Sequence, residues 1–223
     1  RRGYPPEAIK DFCDRVGVAK ANSEVDYSML EFSVRDYLNR NAERAMAVRN
    51  PVKVVITNLE EEQDCEFEIN PNAEDGAVRT VKFTREIYLD AEDFSENPPP
   101  KYFRLKPDGE VRLMGAYIVR YKDVVRDADG RIEKIVCTAD LESGNGAPSD
   151  GRKVKGTIHW VSADDCFRAD VRVFDKLFTI ENTGAIPEGK TFDDYLNRNS
   201  VTTLQGCVME KALENAAPGE RFQ

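Results

Sequence analysis

The stretch that decides the fold runs from residue 111 to residue 138 and has the sequence VRLMGAYIVRYKDVVRDADGRIEKIVCT. Residues 111–125 are rich in β-branched and aromatic side chains, which are typical of strands. Asp127-Ala128-Asp129-Gly130 then supplies turn residues, and a second β-rich run covers residues 132–138. This pattern predicts a β-hairpin at the centre of the chain.

Shorter runs of the same kind flank this hairpin. The further predicted strands are residues 52–57, 65–69, 78–83, 86–89, 153–160, 168–173 and 201–204. Pro98-Pro99-Pro100 marks a stiff link between two groups of them. Many short strands separated by polar turns favour β-barrels over a parallel sheet covered by helices.

The first forty residues show helical periodicity instead. Apolar residues recur at i, i+3, i+4 and i+7 between Ile9 and Val16, after a Pro5-Pro6 pair that suits the first turn of a helix. Ser28 and Glu31 have the spacing of a capping box, which predicts that a second helix begins there. We therefore expect a mainly β protein with an N-terminal α-helical subdomain.

Composition limits the classes of function. The chain has 223 residues, of which 41 are acidic and 32 basic, so its formal charge is −9. This charge argues against indiscriminate nucleic-acid binding but permits a local basic groove. No apolar run approaches the roughly 18 residues of a membrane span, and residues 1–6 lack the apolar stretch of a signal peptide. Five dispersed cysteines without a CxxC pair indicate reduced thiols in a cytoplasmic protein.

The common catalytic motifs do not occur in the sequence. It has no GxxxxGK[ST], GxGxxG, HExxH or GxSxG segment, and His159 is its one histidine. Cys166 lies seven residues after His159, so a thiol–imidazole nucleophile is one hypothesis. The alternative is a histidine on an outer strand face and a cysteine that fills a small apolar space. The paired aspartates at 164–165 and 193–194 are typical of solvated loops, and we expect no metal site.

Basic residues accumulate among the predicted strands. They are interleaved with aromatic residues in one group, Lys101, Tyr102, Phe103, Arg104, Lys106 and Arg112, and form a second group, Arg152, Lys153 and Lys155. Cations beside aromatic rings suit a single-stranded RNA loop, whose phosphates need neutralising and whose bases need stacking surfaces. The alternative is a solvated strand face.

Longer sequence words point to a family. They are Arg1-Arg2-Gly3-Tyr4-Pro5-Pro6-Glu7-Ala8-Ile9, Arg44-Ala45-Met46-Ala47-Val48, Gly109-Glu110-Val111-Arg112-Leu113, Asp150-Gly151-Arg152-Lys153-Val154-Lys155-Gly156 and Ile158-His159-Trp160-Val161. With these words the chain closely resembles, from end to end, the C-terminal half of bacterial-type glutaminyl-tRNA synthetases. Related glutamyl enzymes of archaea and eukaryotes share the architecture.

The resemblance implies a helical connector followed by two six-stranded antiparallel β-barrels that bind the tRNA anticodon loop. The implied division is a connector at 1–43, a proximal barrel at 44–100 with 178–223, incomplete at its C-terminus, and a distal barrel at 101–177. The family's HIGH and KMSKS signatures do not occur here. We therefore expect a non-catalytic fragment without a cofactor of its own, whose intact parent uses ATP with Mg²⁺. The expected partners are glutamine tRNA and the catalytic domain, with no DNA or membrane, and the expected state is a monomer.

The resemblance also implies contacts for the anticodon. The residues concerned are Arg44 and Gln205 for the middle base, Arg104 for the third base, Arg112 and Lys101 on the wobble side, and Asn70 beside the anticodon. Guanidinium and carboxamide groups present paired hydrogen bonds to unpaired base edges. Lys101 stands where a bacterial relative has glutamine, and Met114 where one has arginine. Without the resemblance, Arg44 suits a salt bridge at a helix end or between domains, and Gln205 an ordinary turn.

Other functions remain open at this point. One is a β-barrel module for protein interaction without RNA binding, which the net acidity favours. Another is the anticodon-binding region of a related glutamyl-tRNA synthetase. A small hydrolase that uses Cys166 and His159 is the third.

Overall fold

The elements confirm the mainly β architecture with helices at the N-terminus. A computed structural model describes residues 3–20, 23–74 and 76–223; Arg1-Arg2, which begins the first word of the resemblance, lies outside them. The described part has 35% strand and 17% helix. Its α-helices are α1 (Pro6–Val16) and α2 (Tyr27–Asn41), and its strands are β1 (Ala47–Val48), β2 (Pro51–Ile56), β3 (Gln63–Glu68), β4 (Val78–Phe83), β5 (Glu86–Asp90), β6 (Glu110–Leu113), β7 (Ile118–Arg126), β8 (Ile132–Asp140), β9 (Thr157–Ile158), β10 (Val161–Ser162), β11 (Cys166–Phe174) and β12 (Val201–Glu210). Short 3₁₀ helices cover Ala91–Asp93, Phe192–Tyr195 and Lys211–Leu213.

The two helices pack on one another. Pro6 is the first residue of α1, and Gly17 ends the helix with φ 70°, its N–H donating to the carbonyl of Cys13. α2 begins two residues earlier than the capping box predicts. The carboxylate of Asp26 accepts a hydrogen bond from the N–H of Ser28 at 2.7 Å, so Asp26 is the N-cap and Ser28 lies inside the helix. Neither helix in the described ranges is long and apolar enough to cross a membrane.

The largest sheet contains the predicted central hairpin. Its strand order is β10-β5-β2-β8-β7-β6-β9, and β7 and β8 pair antiparallel with Ile118 opposite Asp140. The Asp127 N–H donates to the carbonyl of Arg131 at 2.9 Å and closes the predicted turn. Two pairings in this sheet, β2 with β8 and β6 with β9, are parallel.

The sheets do not confirm the expected two six-stranded antiparallel barrels. Strands of the described residues form a curled half-barrel sheet of seven strands, a sheet of three (β1-β12-β11) and a hairpin of two (β3-β4). The large sheet also crosses residue 100, because β2 and β5 share it with β6, β7 and β8. Strand partners depend on contacts between distant parts of the chain, which local sequence patterns do not specify.

The core lies between the large sheet and the β3-β4 hairpin. Trp160 is fully buried, and its ring meets Phe83 edge-on with the centroids 5.1 Å apart. The indole N–H donates to the carbonyl of Met114 at 2.8 Å, which satisfies the one polar atom of the ring. Gly115, with φ 64°, lies directly under the ring of Phe67, where a Cβ would be 2.5 Å from a ring carbon. These contacts fix β6 and the residues after it against the hairpin.

Strand β12 connects the end of the chain to the segment after α2. The Glu210 N–H donates to the carbonyl of Met46, and its carboxylate accepts from the N–H of Met46 at 2.9 Å. The same carboxylate receives two hydrogen bonds from the guanidinium of Arg79, at 2.6 and 2.9 Å. Glu210 therefore holds together the segment after α2, the β3-β4 hairpin and β12.

Candidate functional site

Arg44 lies in the short link between α2 and β1. Its N–H donates to the carbonyl of Ile69 at 2.7 Å, and its side chain is half-buried. The guanidinium Nη2 donates to the side-chain oxygen of Asn39 at 3.2 Å. Asn39 belongs to the last turn of α2, so the helix end orients this arginine. No ion pair to Arg44 occurs among the described residues, and the suggested salt bridge at a helix end is not found there.

Asn70 lies at the same helix end. Its side-chain N–H donates to the carbonyl of Arg40 at 2.9 Å, and its side-chain oxygen accepts from the N–H of Asn72 at 2.9 Å. Asn72 in turn donates to the carbonyl of Asn39 at 2.8 Å. The last carbonyls of a helix lack partners within the helix, and here the turn after β3 supplies them. The structure therefore brings Arg44 and Asn70 together.

Gln223 is the glutamine that the structure places beside Arg44. Its backbone bonds to both neighbours of Arg44: its N–H donates to Glu43 at 2.9 Å and its carbonyl accepts from Ala45 at 3.1 Å. Its side-chain N–H donates to the Asn39 side-chain oxygen at 2.9 Å, the same atom that Arg44 contacts. The sequence analysis missed this residue, because its position follows from a pairing across about 180 residues of chain and no local motif announces it.

Gln205 lies elsewhere on the surface. It is exposed, and with Gly206 it forms a β-bulge opposite Asp170. Gln205 lies five positions before Glu210 in β12, and Glu210 bonds to Met46. At about 3.3 Å per residue this offset is about 17 Å along the strand, on the side away from Arg44. The expected pocket shared by Arg44 and Gln205 is not formed in the structure, since the residues occupy different levels of the strand.

Arg104 and Lys101 lie away from the end of α2, in the segment beside the 3₁₀ helix at Ala91–Asp93. The guanidinium Nη1 of Arg104 lies 2.6 Å from a carboxylate oxygen of Asp93, which is buried, and 3.3 Å from the carbonyl of Glu92. Burial raises the pKa of Asp93, while Arg104 and His159 act to lower it. Lys101 is exposed, has φ 65°, and forms no hydrogen bond or ion pair with the described residues. The two predicted contacts are three residues apart and flank Phe103.

Arg112 serves the structure of a loop. Its guanidinium donates to the carbonyls of Gly144, at 3.0 Å, and Ala116, at 3.3 Å, and also contacts the carbonyl of Gly146. A half-buried guanidinium with three carbonyl partners has few donors left for a base edge. The 141–151 loop is therefore attached to β6 through this residue.

Cys166 and His159 have different partners. The Cys166 thiol donates to the carbonyl of Ala163 at 3.4 Å, and burial raises its pKa. The Nε2 atom of His159 is 3.3 Å from the buried carboxylate of Asp90. A nucleophilic thiol requires a lowered pKa and an adjacent base, and neither condition is met here. The described residues also contain no group of three or more side chains suited to bind a metal ion.

Comparisons with known proteins agree with the resemblance in the sequence. Models of the family described as tRNA synthetases class I (E and Q), anti-codon binding domain, match residues 42–140 and 157–223. The chain is 47% identical over its full length to a glutamine–tRNA ligase of Clostridium perfringens and covers 40% of that protein. It is 46% identical to the Pseudomonas putida ligase and 48% identical to that of Rhodopirellula baltica, of which it covers 39% and 37%. The chain thus spans about 40% of the length of these relatives.

Proposed function

The chain belongs to the anticodon-binding domain family of class I tRNA synthetases for glutamate and glutamine, and from this premise we propose that it binds the anticodon loop of glutamine tRNA. Its role is to select the tRNA for a glutamine–tRNA ligase, which joins glutamine to the tRNA with ATP and Mg²⁺. Both ATP and Mg²⁺ are bound in the catalytic domain, which is the proposed protein partner. The setting is the cytoplasm, as a monomer, without DNA or membrane partners.

The observation that carries this proposal is the meeting of Arg44 and Gln223 at Asn39. A guanidinium and a carboxamide donate to one side-chain oxygen at the end of α2, so their remaining donors lie close together. An unpaired pyrimidine base offers carbonyl oxygens that such donors bind. We assign the middle anticodon base to Arg44 and Gln223, and Asn70 to the wall of the same site.

The other assignments complete the interface. Arg104 contacts the third base and Lys101 the wobble side, while Arg112 acts on the wobble side through the 141–151 loop that it holds. Gln205 lies outside the middle-base site and remains a predicted RNA contact. The two-barrel organisation, with a connector at 1–43, a proximal barrel at 44–100 with 178–223, and a distal barrel at 101–177, also stays a prediction.

Binding to anticodon stem-loops tests the proposal. We expect the chain to bind a labelled glutamine stem-loop and to lose about 5- to 150-fold in affinity when the middle U is replaced, the range that one bidentate base contact supplies. Arg44→Ala should lose a similar factor with the matched loop and nothing further with the changed loop. Arg131→Ala, an 80% exposed side chain in the β7-β8 turn, is the control. Equal affinity for the two loops would refute the assignment of the middle base.

The third base separates the glutamine reading from the glutamate alternative. Anticodons for the two amino acids share the middle U, and the third base is G for glutamine and C for glutamate. An arginine pairs readily with the acceptor edge of G. We expect preference for the glutamine loop and its loss in Arg104→Ala. No binding to either loop would favour the protein-interaction alternative.

A further inference from the structure

Phe103 is a large apolar side chain on the surface, between the two cations of the proposed RNA interface. It is 49% exposed and lies one residue before Arg104 and two after Lys101. Exposed phenylalanines are common singly and require no explanation by themselves. The surroundings of this one are what give it a role.

Residues on both sides of Phe103 are anchored to the 3₁₀ helix at Ala91–Asp93. Its neighbour Tyr102 donates through its hydroxyl to the carbonyl of Glu92 at 2.9 Å. Two residues further, Leu105 is fully buried, and its N–H donates to the carbonyl of Asp93 at 3.0 Å. Phe103 therefore lies between two anchored residues, and its ring is presented with little backbone freedom.

Lys155 lies against this ring. Its ammonium nitrogen is 5.3 Å from the ring centroid, within the range of a cation–π contact. The next residue, Gly156, has φ 90°, and a Cβ there would be 1.8 Å from the carbonyl oxygen of Phe103. Only a glycine permits this approach, so the backbone itself brings Lys155 over the ring.

We propose that Phe103 and Lys155 form a stacking site for one unpaired base of the anticodon loop. The base stacks on the exposed ring, and the Lys155 ammonium neutralises a phosphate beside that base. This assignment rests on the proposed function and deepens it, because it adds an aromatic surface to an interface so far built from hydrogen-bond donors. Base stacking on aromatic rings tolerates every base, so the site contributes affinity and leaves specificity to Arg104.

The charges around Phe103 favour RNA over a protein partner. Lys101, Lys153 and Lys155 are exposed, and none of them forms an ion pair with a carboxylate of the described residues. The molecule as a whole carries a charge of −9, so a ring contacted by Lys155, with Lys101 two residues before the ring and Lys153 two residues before Lys155, is a local exception. A ring among unpaired cations is the surface that single-stranded RNA requires.

Replacing the ring with a smaller aliphatic side chain tests the stacking. Phe103→Leu should lower affinity for the glutamine stem-loop about 5- to 150-fold, the range measured for single base–aromatic stacks. Phe103→Trp should retain affinity, and its emission should be quenched on binding, against the constant signal of buried Trp160. Phe32→Leu is the matched control, because Phe32 is 51% exposed and Arg15 lies over its ring at the same 5.3 Å.

Salt dependence separates the roles of the two residues. Phe103→Leu should leave the slope of log affinity against log salt unchanged. Lys155→Gln should reduce the magnitude of that slope by about 0.7, the contribution of one neutralised single-strand phosphate. Unaltered affinity in Phe103→Leu, or unquenched emission in Phe103→Trp at saturation, would overturn the stacking site while leaving Arg44-dependent binding intact. A chain that binds no stem-loop at all would overturn the proposed function and this inference together.

Discussion

Asp93 is a buried carboxylate that supports a surface residue of the proposed interface. It is 4% exposed, and it pairs with the guanidinium of Arg104, whose side chain is 48% exposed. Asp90, Glu92 and His159 also act on this carboxylate electrostatically, and only the histidine acts with Arg104 to favour its ionised form. Desolvation outweighs both, so the pKa of Asp93 lies above its ordinary value.

This shift predicts that Asp93→Asn separates stability from binding. A raised pKa in the folded state means that the unfolded chain tolerates the negative charge better, so this carboxylate lowers stability as pH rises through its folded pKa. A neutral carboxamide of the same shape removes that cost. At pH 7 we expect an unfolding free energy no lower than that of the parent chain, together with weaker stem-loop binding because Arg104 loses its ion pair and keeps only a neutral hydrogen-bond acceptor.

Urea unfolding and stem-loop titration measure the two effects on one preparation. Asn has the same shape and keeps an oxygen for the Arg104 donor, so Asp93→Ala serves as the control that removes this acceptor as well. A clearly less stable Asp93→Asn protein with normal RNA binding would show that Asp93 acts in folding and does not position Arg104.

Single residues of the site differ in how far the sequence reveals them. Arg44 stands in a recognisable word and Arg104 in a basic and aromatic group, and the structure gives both a partner that orients them. Gln205 has the right chemistry beside a glycine, yet the register of β12 places it about 17 Å from the pairing point with Met46. Gln223 has no distinguishing neighbours in sequence. Its place depends on backbone pairing with residues 43–45, which only the folded chain defines.

At the scale of elements, the approach of residues 155–156 to residue 103 gives a second stability prediction. Gly156 and Gly130 both have positive φ, 90° and 79°, which an L-residue adopts at a cost of about 1–2 kcal/mol. A Cβ at Gly130 meets open space, whereas one at Gly156 overlaps a backbone oxygen. Gly130→Ala should therefore lose about 1 kcal/mol, and Gly156→Ala that amount plus about 1–3 kcal/mol of overpacking.

Chemical denaturation of the two variants gives the comparison directly, with Gly130→Ala as the matched control. Gly156→Ala should also weaken stem-loop binding, since the segment that carries Lys155 must move away from Phe103. Equal losses of stability in the two variants would mean that residues 103 and 156 are not in contact in solution.

Local signals predicted the elements best where one segment contains all the information. The β7-β8 hairpin follows its turn residues, and α1 follows its prolines. The predicted strand at 153–160 is wrong in extent, since only Thr157–Ile158 is a strand before a break at His159. Gly156 explains this, because positive φ is incompatible with a continuous strand. The parallel pairing of β2 with β8 joins residues about 80 apart and has no local signal.

At the scale of the whole molecule, net charge and binding surface have opposite signs. The chain carries −9, yet exposed Lys101, Lys153 and Lys155 have no carboxylate partner among the described residues. Screening in about 0.1 M salt acts over roughly 10 Å, so an approaching RNA first meets the net field and only at contact the local cations. The net field opposes association, whereas the local cations hold the bound loop.

In stopped-flow kinetics with the glutamine stem-loop, the salt dependence of affinity should therefore come from the dissociation rate. Between 50 and 200 mM salt we expect the dissociation rate to rise and the association rate to stay level or increase, whereas steering by a basic protein would make association fall steeply. The slope of log affinity should be about −0.7 for each phosphate bound.

Lys10→Gln on α1 is the control, because it changes the net charge by the same amount as Lys101→Gln without touching the interface. Only Lys101→Gln should reduce the slope. An association rate that falls tenfold with salt at a constant dissociation rate would contradict this picture, since it would require the distant field of the chain to be positive.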